Sequence, residues 1–137
     1  MPTVPWQSRH IVDPAAEYVV MASRLPLQSR VRVPWFARLT LTVVRQLERA
    51  DGLVGYSLRA QPLAATFWTL SAWTGNSALD AFVRAMPHRA VMQKLRPHMG
   101  RTRFITWTAF GAALPVSWDE AIERLMGSSA TSGPSAR

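Results

Sequence analysis

The chain has 137 residues, 48% of them hydrophobic and 18% charged, which is enough for one globular domain with its own core. The absence of cysteine excludes thiol catalysis, iron–sulfur ligation and cysteine zinc sites. The formal net charge of +8 favours an anionic partner, which leaves a carboxylate ligand, nucleic acid or a membrane surface open.

The two ends of the chain differ in composition from its middle. Residues 1–17 contain three prolines and no sustained periodicity, which predicts an irregular N-terminal arm. Residues 127–137, GSSATSGPSAR, predict a disordered tail. Residues 18–126 then form a single domain. Since no run approaches the ~18 apolar residues of a membrane-spanning helix and no signal-peptide core is present, we expect a cytoplasmic location and no membrane partner.

The first half of the domain predicts a strand, a helix and a hairpin. YVVMASRL, from Tyr18 to Leu25, is rich in β-formers and precedes a proline. After Pro34, apolar residues recur with helical spacing up to Leu47, and Gly52 follows as a left-handed cap. Two apolar segments then form a predicted antiparallel hairpin, LVGYSLRAQ (53–61) and ATFWTLSAW (65–73).

The second half predicts a broken helix, a strand and a final helix. Ser77 and Asp80 resemble a capping box, and Pro87 interrupts the helix that they begin. A second helical piece starts at His88 and carries its apolar residues on one face. RTRFITWTAF (101–110) predicts a strand, and Ser117 to Met126 predicts a helix with a better capping box.

The order β-α-β-β-α-β with a terminal helix predicts an α+β protein of the ferredoxin-like, split βαβ class with a four-stranded antiparallel sheet. Two helices can cover only one face of that sheet. The third strand nevertheless carries Phe67 and Trp73 on one parity and Trp68, Leu70 and Ala72 on the other, so both faces need cover. Because a two-fold contact commonly covers such a surface, we predict a homodimer formed sheet against sheet.

The segment LSAWTGNSALDAFVRAMPHRAVMQKL, residues 70–95, contains a strand ending in Ser-x-Trp, a short turn, an Ala-Leu-x-x-Phe helix and a histidine. This arrangement resembles the dimeric α+β barrel superfamily, which includes antibiotic-biosynthesis monooxygenases, haem-degrading monooxygenases and, more distantly, spheroidene monooxygenase. The resemblance covers residues 18–110 in topology and residues 70–95 in local motif. It implies a monooxygenase-like oxidoreductase.

The haem-degrading branch uses an asparagine in the first strand, a tryptophan in the second helix and a histidine after it. His88 resembles that histidine, and Phe82 takes the approximate place of the tryptophan. The first strand holds no asparagine, since Asn76 is the only one in the chain. The quinone-oxidising branch needs no metal or prosthetic group. The cofactor expected from the resemblance is therefore none or haem, with His88 as the iron ligand if haem binds.

The candidate catalytic residue is His88, because an imidazole between helix and sheet can move a proton. A packed histidine that bonds a backbone carbonyl is the structural alternative. Apolar walls with few polar groups are typical of small-molecule sites. We therefore expect the ligand to contact aromatic rings and a hydroxyl group, and basic side chains to pair with a ligand carboxylate. The candidate ligand-binding residues are Trp73, Phe82, Ser71, Arg30 and Arg32.

Hydrolysis finds little support, because the chain has no nucleophile elbow, no paired-carboxylate signature and no glycine-rich phosphate loop. If the protein is an enzyme, its substrate must supply much of the reactivity. An electron-rich phenol or quinol can reduce oxygen itself once it is bound, deprotonated and shielded from water. We therefore expect a pocket between sheet and helices for an apolar, aromatic or tetrapyrrole ligand.

Two other functions are compatible with this order of strands and helices. One is a non-catalytic dimeric ligand-binding or stress-response barrel, which nothing in the sequence separates from an oxygenase. The other is an RNA-binding module, which the basic charge and the strand aromatics favour. AATFWTLSAW lacks the basic residue and the glycine of that module's third strand. We therefore rank nucleic acid below a small ligand.

Overall fold

The computed structural model describes residues 3–85 and 88–127. Within these ranges the chain forms a five-stranded sheet and four α-helices. The strands are β1 (Thr3–Ser8), β2 (Glu17–Pro26), β3 (Leu53–Gln61), β4 (Thr66–Trp73) and β5 (Arg103–Phe110). The helices are α1 (Val33–Glu48), α2 (Asn76–Arg84), α3 (His88–Leu95) and α4 (Trp118–Gly127).

The sheet has the order β1-β3-β4-β2-β5, and every neighbouring pair is antiparallel. Without β1, this is the strand order of the ferredoxin-like class, so the predicted α+β fold is confirmed. The predicted count of four strands is wrong. β1 lies in the segment that was expected to be irregular, and it pairs with β3 as an edge strand, where Pro5 is tolerated.

Three helices cover one face of the sheet. Near β3, Leu47 and Leu79 pack with Trp73 and Tyr56 in one buried cluster. Near the start of α1, a second cluster contains Phe36, Val91 and Leu95. The helical spacing of α1 and α3 therefore predicted their buried faces correctly. In α2 the most buried residue is Leu79.

The opposite face is covered from within the same chain. Val20, Ala22, Leu70 and Ala72 are at most 1% exposed and pack with residues of the N-terminal segment, of α4 and of the segment just before α4: Trp6, Val12, Val116, Trp118 and Ala121. The prediction that both faces need cover is correct. An uncovered sheet face is no longer a reason to expect a homodimer, because α4 occupies the surface through which the sheets of two protomers were expected to meet. The homodimer itself stays a prediction.

The two predicted capping boxes had different outcomes. Ser117 accepts a hydrogen bond from the backbone N–H of Glu120, as expected for an N-cap. Glu120 instead pairs with Arg124 at 2.9 Å. Helix α2 begins one residue before Ser77, with Gly75 as its N-cap and no side-chain cap bond, so that prediction is wrong.

Some predictions fall on residues outside the described ranges. The helix break was assigned to Pro87, which is one of the two residues between the described ranges 3–85 and 88–127. Most of the predicted tail also lies outside these ranges, while its first residue, Gly127, closes α4. In the described residues no helix combines the length and the apolar character that crossing a bilayer requires.

The cover of the second face can be tested at α4. Leu125 is 1% exposed and its neighbour Met126 is 45% exposed. We expect Leu125→Ala to lower the free energy of unfolding by about 2–5 kcal/mol, because it leaves a cavity between α4 and the sheet. Met126→Ala should change it by less than about 0.5 kcal/mol. Urea unfolding measures both, and equal effects would contradict the packing described here.

Candidate functional site

His88 stands at the start of α3, beside the end of α2. Its Nδ1 lies 3.1 Å from the carbonyl oxygen of Val83. Because a carbonyl only accepts, this contact assigns the ring proton to Nδ1 and leaves a lone pair on Nε2. Burial lowers the pKa of His88 below its ordinary value of 6.5, and the bond to Val83 opposes that shift. At neutral pH the ring is therefore uncharged and able to accept a proton.

Gln46 of α1 fixes this junction. Its side-chain amide donates to the carbonyl oxygen of Phe82 at 3.2 Å, and its Oε1 accepts from the backbone N–H of His88 at 2.6 Å. One half-buried side chain thus joins α1 to the end of α2 and to the start of α3. Gln46 was not among the predicted site residues. The available signal was its place three residues after Val43, along the edge of the apolar face of α1.

An aromatic series leads from His88 into the core. The ring centroids of His88 and Phe82 are 5.0 Å apart, and those of Phe82 and Trp73 are 5.3 Å apart. The indole N–H of Trp73 donates to the hydroxyl of Ser71 at 2.9 Å. The structure therefore brings four predicted site residues together. Trp73 is fully buried, so a ligand that contacts the cluster meets His88 and Phe82 first, with Trp73 and Ser71 behind them.

A buried tyrosine lies in the same cluster. The hydroxyl of Tyr56 donates to the carboxylate of Glu48 at 2.8 Å. Burial, this hydrogen bond and the charge of Glu48 raise the pKa of Tyr56 to about 12. The phenol therefore stays protonated at neutral pH and acts as a hydrogen-bond donor that ties β3 to the end of α1.

Arg30 and Arg32 lie elsewhere. They belong to a short 3-10 turn before α1, and both are exposed. The guanidinium of Arg32 lies 5.4 Å from the ring centroid of Trp35, beside an open depression of about 450 Å³ lined by Ser29, Val31, Arg32 and Trp35. Gln46 lies fourteen positions after Arg32, the N-cap of α1, or about 20 Å at the rise of an α-helix.

This distance removes the two arginines from the site at His88. A small ligand against His88 cannot also place a carboxylate on Arg30 or Arg32. For metal ions, no group of three or more His, Asp or Glu side chains comes together within residues 3–85 and 88–127. The chemistry of the site therefore depends on a neutral imidazole, an aromatic wall and whatever molecule binds there.

No family model matches the sequence, and no curated protein matches it either. Solved structures do share its fold. SnoaB of Streptomyces nogalater, named as a cofactor-independent oxygenase, is 17% identical with a TM-score of 0.58, over 69% of this chain and 94% of its own. A protein of Caulobacter crescentus, named as a candidate antibiotic biosynthesis monooxygenase, is 16% identical with a TM-score of 0.61, over 69% and 91%.

A conserved protein of Methanosarcina mazei is similar in the same way, with 13% identity and a TM-score of 0.59 over 66% of this chain and 90% of its own. The resemblance to the antibiotic-biosynthesis monooxygenases is thereby confirmed as a likeness of fold. Sequence identity at this level establishes the fold alone. The activities in these names belong to those proteins.

The state of His88 predicts an acid-sensitive contribution to stability. Because the folded chain binds this proton less readily than the unfolded chain, the free energy of unfolding should fall as the pH drops below 6.5, by up to about 1.4 kcal/mol per pH unit. The His88→Asn variant should lack this pH-dependent loss of unfolding free energy, while the His98→Asn variant should retain it. Urea unfolding between pH 7.5 and about 5 measures the difference. Identical pH profiles for wild type and His88→Asn would contradict a buried, neutral His88.

The bridge made by Gln46 predicts a second effect. Gln46→Met keeps most of the side-chain volume but leaves the carbonyl of Phe82 and the N–H of His88 without their partner. We expect the free energy of unfolding to fall by about 2 kcal/mol or more. Arg45→Met, at the exposed neighbouring position, should change it by less than about 0.5 kcal/mol. If chemical denaturation finds the two variants equal, the bridge does not hold the helices together.

Proposed function

We propose that the protein is a monooxygenase-like oxidoreductase that oxidises an electron-rich phenol or quinol with molecular oxygen, at a site formed by His88 and Phe82. The observation that carries this proposal is the held, uncharged imidazole of His88, with Nδ1 bonded to Val83 and Nε2 left to accept a proton. The fold shared with a protein named as a cofactor-independent oxygenase supports it.

The reaction needs little from the protein beyond binding, deprotonation and exclusion of water. Nε2 of His88 accepts the hydroxyl proton of the phenol, which makes the ring anion a good electron donor. That anion reduces O₂, and the ring carbon para to the hydroxyl forms a bond to oxygen. Loss of water then leaves a carbonyl at that carbon. In sum, one phenol and one O₂ give one para-quinone and one water, and His88 returns its proton to the departing oxygen.

The surroundings of His88 suit an aromatic substrate. Phe82 offers a ring at 5.0 Å from the imidazole, so that a planar molecule can pack against the same surface. Trp73 and Ser71 support that wall from within the core. Gln46 acts as a positioning residue, because it fixes the backbone at Phe82 and at His88 at the same time.

Haem fits these residues poorly. Nε2 of His88 has the lone pair that iron ligation needs, but Phe82 stands in the approximate place of the helix tryptophan of the haem-degrading pattern. β2, the first strand of the ferredoxin-like order, also lacks an asparagine. We therefore assign no step of the reaction to haem.

The RNA-binding alternative loses its physical basis in this structure. A stacking platform needs aromatic side chains that are exposed on one sheet face. On β4, Trp68 is 8% exposed and Trp73 is fully buried, and helices lie over both faces. A non-catalytic ligand-binding protein would use the same site as the proposed enzyme, so an activity measurement has to separate the two. The homodimer stays a prediction that the proposed chemistry does not require.

Oxygen uptake with α-naphthol tests the proposal directly, without added metal or cofactor. We expect one naphthoquinone for each O₂ consumed, and a kcat/KM that falls about 10²–10⁴-fold in His88→Gln, because the proton acceptor is lost. The matched control is His98→Gln, which removes a histidine next to Trp35 and should leave the rate unchanged.

Three outcomes would contradict the proposal. Equal rates for wild type and His88→Gln would remove His88 from the chemistry. Binding of α-naphthol without oxygen uptake would identify a ligand-binding protein. A Soret change on adding haemin that appears in wild type and disappears in His88→Ala would instead assign His88 to iron.

A further inference from the structure

A row of arginines crosses the sheet on the face away from His88. Residues directly opposite each other on neighbouring strands share a face. Arg59 of β3 lies opposite Trp68 of β4, Trp68 lies opposite Arg24 of β2, and Arg24 lies opposite Arg103 of β5. Three partly exposed cationic side chains and one buried indole thus form a single line across four strands, on the α4 side of the sheet.

None of these three charges forms an ion pair with an acidic side chain in the described part of the chain, whereas Arg124 pairs with Glu120. Arg24 and Arg103 are direct neighbours across β2 and β5, where strands are about 5 Å apart. Like charges opposite each other destabilise a sheet. The row therefore has a local excess of positive charge.

Aromatic rings and a helix end hold these guanidinium groups in place. The Cζ of Arg24 lies 5.7 Å from the ring centroid of Trp68, and the Cζ of Arg59 lies 5.2 Å from that of Trp118. Nη1 of Arg103 donates to the carbonyl oxygen of Met126, near the end of α4, at 3.3 Å. A cation that stacks on an aromatic face keeps its N–H donors free for other acceptors.

The rings themselves are fixed. The indole N–H of Trp68 donates to Oε1 of Gln61, and that of Trp118 donates to the hydroxyl of Ser57, both at 2.9 Å. The Nε of Arg59 is buried, and none of the described residues accepts a hydrogen bond from it. Buried side-chain donors in folded proteins nearly always have an acceptor. The row therefore combines fixed cations with an unused donor.

We propose that this row, Arg59, Arg24 and Arg103 beside Trp68, binds a small polyanion of the diphosphate type. Arginine guanidinium groups match the oxygens of phosphate in geometry as well as in charge. Arg24 and Arg103 are close enough to share one phosphate group. Arg59 lies two strands from Arg24, or about 10 Å, so it reaches the second phosphate group along Trp68. This site lies on the opposite side of the sheet from His88.

Calorimetric titration with pyrophosphate at low ionic strength tests the proposal. We expect one binding site per chain, and a Kd that rises about tenfold to a hundredfold in Arg24→Gln and in Arg103→Gln, because each loses charged hydrogen bonds to the ligand. Arg45→Gln is the matched control, since it removes the same charge from the exposed face of α1. It should leave the Kd within about twofold of wild type.

A second measurement does not depend on substitutions. In the wild-type protein, pyrophosphate should shift the NMR signal of the Arg59 Nε–H group and leave that of Arg45 unchanged. A titration that shifts all arginine signals alike, or an equal loss of affinity in Arg45→Gln, would overturn the site and leave only the general effect of the net charge.

The same variants separate the diphosphate from other polyanions. Citrate at matched ionic strength supplies carboxylates in place of phosphates, and tighter binding of citrate than of pyrophosphate would contradict the proposed ligand class. Single-stranded DNA supplies a chain of phosphates. Tighter binding of DNA that is lost in Arg24→Gln and Arg103→Gln would replace the small ligand with nucleic acid. The absence of pyrophosphate binding even at low salt would also overturn the proposal.

Discussion

The sheet is apolar on both faces, and this property determines the rest of the structure. Side chains alternate between the two faces of a strand, so the aromatic and aliphatic residues of β4 point in both directions. Each face must then be covered. On one side α1, α2 and α3 provide the cover, and on the other side α4 and the N-terminal segment do so. A four-stranded sheet with two helices could not satisfy this requirement within one chain.

The two covers create two different chemical environments. Under α1 and the α2–α3 junction, the polar groups are few and nearly all bonded to each other, so His88 is held uncharged against an aromatic wall. Beside α4, tryptophans alternate with arginines at the end of the sheet. The sheet separates these environments. A neutral aromatic molecule suits the first, and a polyanion suits the second.

Short-range patterns in the sequence were sufficient for most of the fold. Alternation predicted the hairpin of β3 and β4, because every second residue of a strand lies on the same face of the sheet. Helical spacing predicted the buried face of α1, because residues three or four positions apart lie on the same side of a helix. β1 was missed, since an edge strand with Pro5 has little periodicity of its own. It depends on Trp6, which packs against Gly55, where a side chain would leave no room. That contact joins residues far apart in the chain.

The site could be predicted only in part for the same reason. Ser71, Trp73, Phe82 and His88 lie close in the sequence, on one strand and two short helices, so local patterns predicted them as one site. Gln46 comes from α1, and its role depends on two backbone groups about forty residues away. Arg30 and Arg32 were assigned to the same site because a guanidinium group can pair with a ligand carboxylate. The length of α1 places them at the other end of that helix from Gln46.

The arginines show where composition stops being informative. A preference for arginine over lysine can reflect codon usage or a need for planar, stacking cations, and a residue count does not separate the two. Their positions do. Arg38, Arg45 and Arg49 lie on the exposed side of α1, where a lysine would serve equally well. The arginines on the α4 side lie over indole rings, where an ammonium group would lose the stacking and the fixed direction of its donors: Arg24, Arg59 and Arg124. The choice of arginine at these positions follows from the tryptophans beneath them, and the tryptophans are there because that face of the sheet must be buried.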